Sequence, residues 1–415
     1  MIRKIFVLSF ALACLANASS MMGLEALGTP TEAATAITRG RGYSGGAKAE
    51  SGYVEWNPAS LAFERNTSFN ATLLFEENVA KNDGKSYASS SLEIPSLSFA
   101  FAMNRFGTLS LALSQKYTSN LDESVDDSLE TSLANIKYQG NIYEITPAYA
   151  IRLPFFRRLS LGFSAHFLMG SASRELSLGA DNSQVSEEDA WATNSAEVTE
   201  SAEGRFEIKN HPAYYTGAVF YKGLKASYYF SYTTAYTLRN KLEYNLTFSQ
   251  TDTLVPSKVV REIDVPPTYA TGFAFRYKKR HHFMLDFMLR GWDADIANIA
   301  GAWNLKDSTD TQTEFLAALG YERSGSTDYF KKYVQRMDFR AGAWFRNYYI
   351  ADVKEYGASI GAGFPLGRRN TKVDVAIQGG MRKSDDGTIW DETFFGVSVG
   401  LTGVGNWGNR PKTVH

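Results

Sequence analysis

The side chains able to do chemistry in this 415-residue chain are dispersed and form no single motif. Arg276, Arg290 and Arg340 are the best candidates for holding a ligand, because a guanidinium fork pairs with a carboxylate through two parallel hydrogen bonds. Asp286, Glu314 and Asp338 are equally numerous, so the same arginines can instead close a structural network of ion pairs, and the balance of charge favours that reading. His166 reads as a hydrogen-bonding residue. Gly42–Lys48 is glycine-rich and ends in Lys, but it lacks the spacing and the Ser/Thr of a phosphate loop. His281-His282 has no Cys or carboxylate set behind it, so neither a metal site nor a cofactor is expected. No Ser/His/Asp set shares a placement that would make a nucleophile, and the chain reads as a non-enzyme, with a barrel phospholipase or esterase as the remaining alternative on spacing.

The elements that must position these groups are strands. Phe69, Ala71, Leu73 and Phe75 alternate with mostly polar neighbours, the period-2 signature of a strand with one apolar face. The pattern recurs along the chain. It returns at Leu97–Met103 and Leu109–Leu113, at Tyr143–Leu153 and Leu159–Met169, at Tyr214–Tyr221, and at Ala226, Tyr228, Phe230, Tyr232 and Tyr236. It continues through Phe273–Tyr277, Phe283–Leu289, Phe315–Tyr321, Phe339–Phe345, Tyr356–Phe364, Val373–Ile377 and Phe395–Leu401. The opposite face of these strands carries Glu144, Arg152, His166, Arg276, Asp286, Arg290, Glu314, Asp338, Arg340, Arg346, Lys372 and Asp374. Charge on a lipid face costs ~2–4 kcal/mol for Arg or Lys near the midplane. These twelve residues are therefore expected to point into a lumen.

The alternation predicts an all-β chain: a transmembrane antiparallel β-barrel of about fourteen strands, an even number that leaves both ends on the periplasmic side. Short turns at 104–107, 154–158, 222–223, 278–282, 324–332 and 367–370 would face the periplasm. Long polar stretches at 119–138, 172–204, 239–264 and 294–311 would be extracellular loops, and the acidic 183–204 stretch reads as a solvated face. A secreted β-sandwich or β-helix is the competing architecture. It would bury many tyrosine hydroxyls that need partners, whereas tyrosines at a membrane interface reach water.

Residues 1–18 have Arg3 and Lys4, an apolar run from Ile5 to Ala13 and Ala16-Asn17-Ala18, the pattern of a signal peptide cleaved after Ala18. Cys14 is the only cysteine, so such processing leaves a mature chain without thiol chemistry. Residues 19–65 then read as an N-terminal plug. Its Gly45, Gly46 and Ala47 and its Asn57, Pro58 and Ala59 are expected inside the barrel against inward side chains. Asn57-Pro58 makes a rigid bend that serves either as an anchor or as a hinge. Residues 66–403 form the barrel and 404–415 a periplasmic tail.

Composition supports this organisation. Beyond residue 18 no apolar run approaches the ~18–20 residues a spanning helix needs. The hydrophobic content is 44% with a mean hydropathy of −0.26, while 23 Tyr, 27 Phe and 34 Gly stand against 11 Pro and 5 His. Alternating lipid-facing and lumen-facing residues average to such values. A net charge of −1 argues against nucleic acid as a partner.

Gly45-Gly46-Ala47 and Trp56-Asn57-Pro58-Ala59-Ser60-Leu61 resemble the Gly-Gly-Ala and Asn-Pro-Ala boxes of the FadL-like outer-membrane transporters of long-chain fatty acids and other hydrophobic compounds. The similarity resumes at Pro267-Thr268-Tyr269, Gly272, Asp286 and Trp292. It is densest over Glu355–Arg368, Gly379–Arg382 and Glu392–Leu401, where it is closest to the divergent branch of Bacteroidetes-like bacteria. The middle loops carry no similarity. This resemblance implies a fourteen-stranded barrel in the bacterial outer membrane with an N-terminal hatch. A hydrophobic small molecule or lipid would be captured outside and leave sideways through the wall into outer-membrane lipid. FadL-like barrels also include the PorV-type component of the type 9 secretion system, so a protein partner and a scaffold or shuttle role form the second functional reading.

Overall fold

The computed structural model describes residues 20, 28–31, 35–48, 55–82, 85–103, 106–118, 121–126, 132–180, 200–208, 212–248, 255–292, 311–350, 352–366, 371–384 and 391–405. The expected signal peptide, residues 406–415 of the expected tail, and most of the 183–204 and 294–311 stretches lie outside the described residues.

Fourteen antiparallel strands close on themselves. They are β1 Thr67–Asn82, β2 Lys85–Ala102, β3 Thr108–Thr118 continued by Leu121–Asp126, β4 Ser132–Arg152 and β5 Leu159–Ala180. Next come β6 Glu200–Ile208 with Ala213–Lys222, β7 Ala226–Thr233 with Tyr236–Phe248, and β8 Val255–Val265 with Thr268–Tyr277. The remainder are β9 His281–Arg290, β10 Glu314–Arg323, β11 Asp338–Asn347, β12 Val353–Leu366, β13 Thr371–Ser384 and β14 Asp391–Gly405. Each strand pairs with the next, and β14 returns to β1 over Gly405↔Thr67 to Asp391↔Lys81, so the sheet has no open edge. Closure matters in lipid, where an unpaired backbone edge has no water to bind.

The two faces follow the alternation. Phe69, Leu73, Phe163, Phe273, Phe275, Phe283, Phe287 and Leu401 are exposed, while Asp286, Glu314, Arg340 and Asp374 on the opposite faces are buried. An outward apolar wall around an ionised interior is a membrane barrel, and barrels of this build occupy the bacterial outer membrane. Among the described residues no helix is long and apolar enough to cross a membrane.

Three expectations are corrected. The stretches at 119–138 and 239–264 are largely strand, as are residues 172–180 and 200–204: β4 runs for 21 residues and β5 for 22, against the ~9–11 needed to cross. Their apolar alternation stops at the membrane edge while the hydrogen-bond ladder continues. Tyr236 is partly buried and faces inward, stacked on Tyr214 at 4.3 Å. Non-strand residues Thr234-Ala235 shift the period there, so Tyr236 no longer shares the face of Tyr232. Arg152 and Arg276 have inward parity but lie exposed at the short-turn rim, where Arg152 sits over the Phe63 ring at 5.8 Å.

Candidate functional site

The lumen is filled from within by residues 35–48 and 55–65. A short helix α1, Ala36–Arg39, is capped by Thr35, whose Oγ1 accepts from Thr38 N at 3.2 Å. The chain then turns through Arg41–Lys48, and a 3₁₀ turn over Pro58–Phe63 begins at the Asn57-Pro58 bend. Gly45, Gly46, Ala47, Asn57, Pro58 and Ala59 are all buried inside the barrel. Asn57 Nδ2 donates to Gly46 O at 2.7 Å, which ties the two halves together.

Two carboxylates of the wall hold this inner segment. Asp286, in the middle of β9, accepts from Gly45 N at 2.7 Å and Gly46 N at 3.2 Å. Glu322, near the end of β10, accepts from Arg41 Nε at 2.8 Å and also pairs with the Lys48 ammonium. The same carboxylate takes Arg340 Nε of β11 at 3.0 Å. Glu322 is thus shared between two cations of the inner segment and one of the wall. Further along, Gly42 N donates to Ser359 Oγ at 2.9 Å and Ser160 Oγ to Ala59 O at 2.8 Å.

Close backbone approach requires glycine at two wall positions. A Cβ on Gly342 would overlap the Arg41–Gly42 peptide, and one on Gly162 would overlap the Pro58–Ala59 peptide. The wall is shaped to the segment. Aromatic contacts complete the fit: Tyr43 meets Trp344 edge-on at 4.7 Å and lies between the guanidiniums of Arg39 at 6.0 Å and Arg346 at 5.7 Å.

Of the three arginines singled out in the sequence, two are engaged by acids. Arg290 Nη1 pairs with Glu314 at 2.9 Å and its Nε donates to Thr268 Oγ1 at 2.7 Å. Arg340 pairs with Asp374 at 2.6 Å and Asp338 at 3.1 Å in addition to Glu322. Arg276 is not paired with Asp286. It donates to Leu224 O at the exposed rim, so its expected place among the lumenal ligand-binding candidates is corrected. The alternation puts Arg276 on the correct face, but it carries no information about height in the barrel.

Several residues that matter escaped sequence reasoning. Glu322 and Glu355 sit one step beyond the apolar runs that end at Tyr321 and begin at Tyr356, and Arg382 lies five residues past Ile377 with inward parity, so extending the alternation would have found them. Arg382 joins Glu355 at 2.8 Å, Glu392 at 2.9 Å and Glu76 at 3.2 Å, stitching β12, β13, β14 and β1 together. A Ser164–His166–Glu144 line was also missed, with Nε2 at 2.9 Å from Ser164 Oγ and Nδ1 at 2.7 Å from Glu144. Thr216 Oγ1 lies at the same 2.9 Å from Nε2. Ser164 and Glu144 are fully enclosed among the described residues.

Among the described residues, two further regions of the lumen stand out. One is a layer of buried side chains between the inner segment and the long-connection end, including Tyr117, Leu168, Tyr214, Leu238, Ile263 and Trp292. The other is a small cleft of about 30 Å³, partly open, between the segment and the wall; Arg39, Glu76, Glu93, Arg346, Glu355 and Arg382 line it. Among the described residues no group of three or more His, Cys, Asp or Glu could hold a metal ion.

Solved structures share this fold at low identity. A Pseudomonas aeruginosa FadL homologue aligns over 92% of this chain and 100% of its own, with TM-score 0.63 and 14% identity. The Pseudomonas putida toluene transporter TodX aligns over 93% and 100%, with TM-score 0.55 and 13% identity. The Ralstonia pickettii toluene transporter TbuX aligns over 92% and 100%, with TM-score 0.50 and 13% identity. A comparison with curated proteins finds no significant match. The resemblance drawn from the Gly-Gly-Ala and Asn-Pro-Ala boxes therefore holds at the level of the barrel fold, whereas the family profile that matches is a different one, BamG, over residues 1–413. The chain belongs to the BamG family.

Proposed function

We propose that this barrel admits a hydrophobic compound passively across the outer membrane, with a long-chain fatty acid as the default cargo and the inner segment as a plug over residues 19–65. The observation that carries this reading is the buried apolar layer above the inner segment. A pore for polar solutes gains nothing from lumen-facing Leu168, Leu238, Ile263 and Trp292, whereas each methylene moved from water into such a layer gains about 0.8 kcal/mol. The shared fold with barrels described as toluene transporters supports the same class of cargo. A lateral exit is supported by the wall itself. The regular runs of the adjacent strands β6, β7 and β8 break at Pro212, Thr234-Ala235 and Pro266-Pro267, where Leu168 N to Pro212 O at 3.4 Å and Thr234 N to Tyr215 O at 2.9 Å still bridge the wall and the three prolines have no N–H to donate.

Uptake of radiolabelled oleate and of toluene by cells carrying the wild-type barrel, the deletion, or Leu168→Gln with Leu238→Gln tests the reading. Slower uptake of at least one compound in the deletion and in the double variant is expected, with the folded barrel present in the outer membrane. Equal uptake in all three strains would refute it.

A further inference from the structure

The short-turn rim carries a second pattern, independent of the lumen. Four turns, 153–158, 222–225, 278–280 and 324–337, hold ten Lys and Arg against a single Asp, in a chain whose net charge is −1. Each places large apolar side chains beside the cations. Phe155-Phe156 precede Arg157-Arg158, and Leu224 precedes Lys225; all of these residues are exposed. Tyr277 precedes Lys278-Lys279, and Phe330 precedes Lys331-Lys332, again all exposed. Phe155 is 92% and Phe330 97% exposed, values that leave both rings without a protein neighbour to cover them.

The most elaborate of these turns is built rather than loose. Between β10 and β11, Gly325 N donates to Asp338 at 2.7 Å and Ser326 N to Gln335 O at 2.8 Å. Arg336 stacks on Tyr329 at 4.7 Å, and a short helix α2, Tyr333–Arg336, closes the turn. Tyr333 Oη reaches Pro365 O at the foot of β12 at 3.4 Å. The backbone is thus fixed while Phe330, Lys331 and Lys332 project.

We infer that these turns form a docking rim for anionic phospholipid head groups of the periplasmic leaflet. The apolar residues lie at the same end of the barrel as the outward tyrosines Tyr149, Tyr221 and Tyr277, which are also exposed. They span β4 to β11, more than half of the circumference. A protein partner would occupy one sector, whereas lipid surrounds the barrel. Aromatic side chains at head-group depth with cations just beyond them match an anionic interface.

Native mass spectrometry of the full chain from nanodiscs of mixed phosphatidylethanolamine and phosphatidylglycerol tests this. Retained phosphatidylglycerol is expected in excess of its bulk fraction. Lys278→Gln, Lys279→Gln, Lys331→Gln and Lys332→Gln together should lower that excess at least fivefold, the factor expected for about one lysine near a charged surface. If the quadruple variant does not assemble, Lys331→Gln with Lys332→Gln, confined to a connection outside the strands, makes the same comparison. Retention at the bulk ratio, an excess unchanged by the substitutions, or an acidic protein held by these lysines with no lipid excess would each overturn the inference. The outcome does not depend on what the lumen carries.

Discussion

Replacing Glu322 with Gln should loosen the inner segment while leaving the barrel closed. The substitution keeps the side chain's volume and removes the charge shared by Arg41, Lys48 and Arg340. Arg340 still has Asp374 and Asp338, so the loss falls mainly on the two cations of the segment. Breaking a buried ion pair by removing one partner costs ~3–5 kcal/mol. At ~1.4 kcal/mol per decade, the detached state becomes roughly 100- to 4,000-fold more populated. Trypsin reports this directly, because Arg39, Arg41 and Lys48 are cut only when the segment leaves the lumen. Planar-bilayer recordings should show openings of the same variant. Asp286→Ala removes the acceptor of two backbone N–H groups at ~1–3 kcal/mol each and should act in the same direction. Wild-type protease resistance and wild-type conductance in E322Q would refute the argument that Glu322 holds the segment.

Other substitutions test the packing and the faces. Gly342→Val drives a side chain into the Arg41–Gly42 peptide. It should lower the melting temperature of the heat-modifiable barrel on gels, in line with the ~1–3 kcal/mol typical of overpacking. Val399→Arg puts a cation on the exposed face of β14 and should cost ~2–4 kcal/mol of membrane stability, read as loss of folded protein from the outer-membrane fraction. Ser164→Ala should leave uptake unchanged, and a fluorophosphonate probe should label neither form, since the hydroxyl is enclosed.

The wall of the barrel was legible because its signal is physical and local. Phe273, Phe275, Phe283 and Phe287 must meet lipid, and that requirement repeats every second residue. The lumenal set followed from the same alternation, and Asp286, Arg290, Glu314 and Arg340 are indeed buried. What alternation cannot encode is height and partner. Arg276 has the right parity and lies at the rim, and Asp286 turns to the Gly45 and Gly46 amides rather than to an arginine. The phase slip at Thr234-Ala235 hid the inward turn of Tyr236, because two residues outside the regular strand leave no apolar mark in the sequence. The wall glycines were a signal left unread. Gly162 and Gly342 interrupt the inward face where a backbone comes close, and together with the buried Gly45–Ala47 they outline where the inner segment lies.

Mass spectrometry of small molecules copurifying with the full chain in mild detergent tests the central claim most directly. A hydrophobic compound is expected in the lumen of the wild-type barrel and should be lost when Leu168 and Leu238 are replaced by Gln. A barrel that carries no hydrophobic compound and instead copurifies with a stoichiometric protein partner would contradict it.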